Sequence, residues 1–179
     1  MSLDYSNIIP ECYVDTNLIQ YLLNGTVNHQ HSCNNVIKVL KGKFKDRFAI
    51  GIIDNDKKAV WYLSECEKIV SSPHLCVLKH RERSHYLITI TPAVDRFLLD
   101  CANEQGVSLK AHGFPSQLNE FIKLTKKVTS NTDPEIRRLI EDLRNHQELV
   151  SLQRTLDYLF NKTYNSDSSV IQSFFGCLL

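Results

Sequence analysis

The chain lacks most of the features that would assign a sequence to a special class. Its six cysteines, Cys12, Cys33, Cys66, Cys76, Cys101 and Cys177, include no Cys-x-x-Cys pair, and several fall inside apolar runs. That pattern suits reduced thiols better than a disulfide framework. No apolar stretch approaches the roughly 20 residues that span a bilayer, so no membrane partner is expected. The N-terminal residues show no basic stretch followed by an apolar one, and a cytoplasmic location is the expectation. Net charge is only +1, so no global basic field draws the protein to nucleic acid, and any such binding must come from a local patch.

What is present is an ordinary globular composition, with 42% apolar and 23% charged residues over 179 positions. This length supports one well-buried core with a helical extension. The most informative stretch is "RFAIGIIDNDKK", residues 47–58. Phe48 to Ile53 suit a strand buried on both faces, as in a parallel sheet, and the strand runs into Asp54, Asn55 and Asp56. Upstream, residues 12–16 ("CYVDT") suggest a short strand and 17–24 a helix, with "GTVNHQHS" as a loop. Apolar spacing predicts a helix over 33–44, another near 58–69, strands at 75–80 and 85–91, and a helix capped by Thr91 with Pro92 at its first position and Gly106 at its end. Helices near 116–127, 134–145 and 147–161 follow, with 129–134 and 165–169 as linker candidates.

Strands alternating with helices imply an α/β fold, a Rossmann-like and mostly parallel sheet with an antiparallel hairpin at one side, flanked by helices, with residues 1–110 as the core and 111–179 as a helical extension packed on it. Ligands of such sheets bind beyond the carboxyl ends of the strands. Asp15 at the end of one strand, with Asp54 and Asp56 at the end of another, would meet there if the strands are neighbours. Carboxylates so close need a cation or protons, and Mg²⁺ or Mn²⁺ is the hard ion suited to such ligands. The same residues also suit simpler roles: Asp54-Asn55-Asp56 as an Asx turn, Asp15 as a helix cap, and Asp95 as a first-turn acid complementing the helix dipole.

The order of an acid after the first strand, Asp-x-Asp after the next and a further acid opening a later helix resembles the Toprim domain of topoisomerases, primases and OLD-type nucleases of phage defence. On this resemblance Asp15 in "YVDTNLIQYLL" stands for the family's first glutamate, Asp54 and Asp56 for its Asp-x-Asp, and Asp95 in "TPAVDRFLL" for the later acid. The family's first acid is normally glutamate followed by glycine, whereas this chain has Asp15 and Thr16. The resemblance implies a metal-dependent phosphodiester-processing, nuclease-like enzyme with catalytic Asp15, Asp54, Asp56 and Asp95, the first three holding the metal. A second resemblance, to PIN-domain ribonucleases, rests on "YVDTNLIQYLL" and on the spacing of "DRFLLDCANEQGVSL" (95–109). A haloacid-dehalogenase arrangement is set aside because Lys57 and Lys58 follow Asp56.

Residues 16–45 contain no acid, while Lys38, Lys41, Lys43 and Lys45 cluster. With Arg81 and Arg83 at a predicted turn, Lys38, Lys41 and Lys45 are candidate phosphate contacts for DNA or RNA, or simply a solvated face. Trp61 and Tyr62 are candidates for base stacking or core packing. "NHQHSC" offers His29, His31 and Cys33 as zinc-type ligands or as a polar loop beside the site. The competing function class is a noncatalytic module that binds a protein or nucleotide partner, with the apolar tail "VIQSFFGCLL" as a docking element.

Overall fold

The computed structural model describes residues 3–55 and 61–176. Two short strands, β1 (Leu3–Tyr5) and β2 (Ile8–Pro10), lead into helix α1 (Tyr13–Leu23). The strand expected at 12–16 is therefore a helix, and the first strand of the main sheet lies earlier, on the apolar run Ile8-Ile9-Pro10. The local cause is a capping box: the Cys12 thiol accepts from Asp15 N–H, and the Asp15 carboxylate accepts from Cys12 N–H at 3.0 Å. Val14, Leu18, Ile19, Leu22 and Leu23 then fall on the buried side of the helix.

Part of the expected loop at 25–32 is a strand, β3 (Gly25–Val27), paired in parallel with β1. Helix α2 (Cys33–Lys41) crosses over to β4 (Ala49–Asp54). The helix expected near 58–69 is, within the described residues, a single turn, α3 (Trp61–Ser64), followed by strand β5 (Cys66–Ser71). Pairing of β5 with β6 (Leu75–His80) accounts for this: the antiparallel ladder decides a segment whose own apolar spacing is ambiguous. Strand β7 (His85–Ile90) completes the sheet, in the order β2-β4-β7-β6-β5. The pairs β2–β4 and β4–β7 are parallel, whereas β7–β6 and β6–β5 are antiparallel, so the sheet is mixed rather than mostly parallel. Short turns after β5 and β6 allow only antiparallel return, which is the reason for the correction.

The double burial expected for β4 is present. Ile50 and Ile52 face the larger apolar cluster, while Ala49 and Ile53 face the smaller one under α2. Gly51 is required by that close packing: a Cβ there would lie 2.8 Å from Leu87 Cδ2 and 3.0 Å from Val36 Cγ1. Helix α4 (Val94–Gln105) begins two residues later than expected, with Ala93 at its N-cap and no side-chain cap of its own, following a cis Thr91–Pro92 peptide. Its end is as expected, with Gly106 left-handed at φ 68°.

Helices α5 (Leu118–Thr125), α6 (Pro134–Leu143), α7 (Gln147–Lys162) and α8 (Ser168–Ser173) bury their stripes in the same cluster that covers one face of the sheet. The segment 129–134, expected as a linker, is docked on α1. Buried Asn17 donates to the carbonyls of Ser130 and Asp133, and accepts from Arg137 Nε at 3.1 Å. Glu148 fixes the start of α7 to the β5–β6 turn by accepting from the His74 backbone N–H and ring Nδ1, at 3.0 and 2.7 Å. The apolar tail is not a free docking element over its described part, because Ile171 and Phe175 are buried in the main cluster.

Gly51→Val should destabilise the protein by about 1–3 kcal/mol, the range for overpacking a filled interior. A urea midpoint lowered with an unchanged transition slope would show it.

Candidate metal and acidic site

Parallel pairing aligns Ile8 with Ile50 and Pro10 with Ile52, so both chains leave the sheet at the same end. Glu11 follows β2 directly, and Asp54 closes β4. Asp54 N–H donates to Glu11 Oε2 at 3.1 Å, which ties the two strand ends together. Asp15 reaches the same place from the first turn of α1. The Cys12 thiol and one oxygen each of Asp15 and Asp54 all lie within 4.8 Å of one another.

A cavity of about 370 Å³ opens over this cluster, lined among others by Glu11, Cys12, Asp54, Asp95, Thr125 and Lys126. Asp54 Oδ1 accepts from Val94 N–H at 3.0 Å and so supplies the cap that α4 lacks in its own sequence. Asp95, in the first turn of α4, is buried and accepts from the Thr125 hydroxyl. Asp15 is fully buried. Its Oδ2 accepts from Cys12 N–H, but its Oδ1 has no hydrogen-bond partner among the described residues.

The electrostatic consequence is large. Burial, helped by the charges of Glu11 and Asp95, pushes the Asp15 carboxyl up to about 7 against the lowering effect of its bonds to Cys12. Burial, then the charge of Asp15, pushes Asp54 up to about 9 despite the Val94 N–H. The Cys12 thiol is raised well above its ordinary value by burial and by Asp15 and Asp54. Four carboxyl groups and a thiol thus share a volume in which full ionisation is unfavourable without added positive charge.

Of the residues expected from the sequence, Asp15, Asp54 and Asp95 come together, and Asp56 lies outside the described residues. His29 and His31 line the same cavity, with Tyr13 stacked on His29 at 4.6 Å between ring centroids. His29 Nδ1 lies 2.7 Å from the Thr16 hydroxyl, which itself donates to Cys12 O, so the ring is the donor to Thr16. Cys33 is not part of a polar loop: it is the first residue of α2 and is buried in the smaller apolar cluster. Helical burial of the residue next to Ser32, the cap of α2, removes it from the histidines' surface.

The basic residues also depart from expectation. Arg83 Nη1 donates to Lys45 O, and the turn that carries Arg81 and Arg83 enters β7 at His85, opposite Ala49 at the start of β4. Asp54 is at the other end of that strand, about 17 Å away at ~3.3 Å per residue. Lys38 and Lys41 are exposed on α2, and Lys41 Nζ lies 4.9 Å from the centroid of the exposed Trp61 ring. Tyr62 is buried and bonds His85 Nδ1, so it serves the core. The basic strip therefore does not border the acidic cavity, whose own lysine is Lys126.

Sequence reasoning missed Glu11 and Cys12. The available signal was a glutamate directly after the apolar Ile8-Ile9-Pro10, four positions before Asp15; placing the strand at 12–16 hid it. No known protein family, curated protein or solved structure matches the chain.

Both aspartates hold their protons more tightly folded than unfolded. Their contribution to stability is fully present below the unfolded value near 4 and is lost as pH rises through about 7 for Asp15 and about 9 for Asp54. Metal-free protein should therefore lose stability from pH 5 to pH 9, and Asp54→Asn, which retains an acceptor for Val94 N–H, should flatten that loss. Urea midpoints at pH 5, 7 and 9 in the presence of a chelator provide the measurement.

Proposed function

We propose that the protein is a metal-dependent phosphodiester-processing enzyme, nuclease-like and Toprim-type, with its centre at Glu11, Asp15 and Asp54. The observation that carries this reading is the buried Asp15 carboxylate, in the first turn of α1: its Oδ1 has no hydrogen-bond partner among the described residues, and one of its oxygens lies within 4.8 Å of an oxygen of Asp54 at the end of β4. A hard divalent ion such as Mg²⁺ or Mn²⁺ fits that donor set, because carboxylate oxygens are its preferred ligands and an unmatched buried acceptor is what it would satisfy. When bound, the ion supplies Lewis-acid polarisation of a phosphate and stabilisation of an attacking oxygen.

The Toprim pattern starts with a glutamate after the first strand; on this reading Glu11, which directly follows β2, takes that place instead of Asp15, with Cys12 where the family has glycine. Asp15 is then an additional acid of the first helix turn. Asp54 opens the Asp-x-Asp, whose second member is Asp56. The PIN-type reading ranks behind because Asp15 lies within α1 rather than at a strand end. Asp95 and Lys126 both line the cavity, where Lys126 would balance phosphate charge. His29, donating from Nδ1 to Thr16, keeps Nε2 as the nitrogen that accepts a proton.

A noncatalytic module is the second reading. It draws support from the separation of the basic surface of Lys45, Arg81 and Arg83 from the acidic cavity. Incubation of labelled single- and double-stranded DNA and RNA with millimolar Mn²⁺ or Mg²⁺ tests the enzyme reading. Cleavage should appear with wild type and fall by about two orders of magnitude or more in Asp54→Asn and Glu11→Gln. In parallel, the metal should raise the wild-type melting temperature and not that of Asp54→Asn, since an ion held only by the folded state stabilises it. A metal-induced shift without cleavage of any substrate would favour the binding module, and no shift at all would remove the metal centre.

A further inference from the structure

The thiol of Cys12 is the feature of the cavity that a purely hard-ion site does not use. It is half-buried, sits at the N-cap of α1 and lies with the Asp15 and Asp54 oxygens inside one 4.8 Å cluster. The other described cysteines are elsewhere: Cys33 and Cys66 in the smaller apolar cluster, Cys101 in the larger one, and Cys76 on β6. The Cys12 sulfur accepts from Asp15 N–H at 3.4 Å, so a helix-terminal donor already points at it. Beside it, the fully buried Asp15 carboxylate retains an oxygen without a hydrogen-bond partner among the described residues.

We propose that Cys12, Asp15 and Asp54 form a three-ligand site for a thiophilic divalent ion, Zn²⁺ above all, which takes this position in preference to Mg²⁺. The inference rests on the metal-centre reading above and concerns which ion the centre selects. Thiolate and carboxylate donors together suit a borderline-soft ion, whereas Mg²⁺ has no affinity for sulfur. Tetrahedral zinc with bonds of ~2.0–2.3 Å places one sulfur and two oxygen ligands roughly 3.3–3.5 Å apart, so donors within 4.8 Å need to close by about 1.5 Å at most. On binding, the sulfur–hydrogen bond breaks, the electron pair passes to the metal–sulfur bond and the proton leaves to solvent through the cavity. Three protein ligands leave a fourth position toward the cavity, the arrangement of zinc sites that keep a water. Zinc held there would exclude Mg²⁺ from the same carboxylates and make the activity of the centre responsive to zinc.

The test uses Co²⁺ as a spectroscopic stand-in for Zn²⁺ on the full chain. Wild type should develop a thiolate-to-cobalt charge-transfer band that saturates near one equivalent, and Cys12→Ser and Asp54→Asn should not. Zn²⁺ should abolish the band at concentrations at least about 100-fold below those at which Mg²⁺ does. Because Cys12 also caps α1, a measurement on unmutated protein stands beside the variant: Zn²⁺, and not Mg²⁺, should slow alkylation of Cys12 as mapped by peptide mass. A band that survives Cys12→Ser assigns the thiolate to another cysteine and overturns the proposal. Stabilisation by Mg²⁺ with no charge-transfer band and no zinc protection also overturns it, while leaving the carboxylate centre standing. Absence of every metal response overturns both.

Discussion

The parallel pairing of β2 with β4 is the constraint on which the rest of the structure depends. It aligns only three residue pairs, yet it fixes the direction in which both strands leave the sheet and therefore puts Glu11 beside Asp54. Gly51, opposite Ile9, permits α2 to pack closely on the same strand, so the central strand is buried on both faces right up to its acidic end. Low dielectric at that end then decides the chemistry. Carboxylates that would ionise freely on a surface hold their protons here, or exchange them for a cation.

Two helix N-termini reinforce the arrangement without completing it. Asp15 occupies the first turn of α1, Asp95 that of α4, and Asp54 accepts from the first N–H of α4, so the positive ends of both helices meet the same acids. Even so, burial and mutual repulsion outweigh these dipoles at Asp15 and Asp54. The residual demand for positive charge links the packing of the fold to the proposed metal binding.

The helical layer on one face of the sheet is tied down by paired polar groups as well as by apolar contact. His74 offers Nδ1 to Glu148 and Nε2 to Asp100, so both ring nitrogens face carboxylate oxygens. Burial works against the charged ring, but the bonds and charges of Glu148 and Asp100 together raise its proton affinity. The clamp joins the β5–β6 turn, α4 and α7.

The sequence by itself determined the elements whose residues carry a local reason. The apolar run at 48–53 gave a strand buried on both faces, Gly106 ended its helix, and the stripes of Ile136, Leu139, Ile140 and Leu143 and of Leu149, Leu152, Leu156 and Leu159 marked the buried faces of α6 and α7. It also singled out Asp15, Asp54 and Asp95. Only the tertiary structure decided that Ile8–Pro10, and not residues 12–16, form the strand beside β4, although the Cys12–Asp15 box that makes 13–16 helical is itself local. It likewise decided that residues 66–71 pair as an edge strand, that Glu11 and Cys12 belong to the site, and that the basic strip does not. Strand neighbours, strand directions and the ends at which loops emerge are set by long-range pairing, and single-chain periodicity contains no record of it.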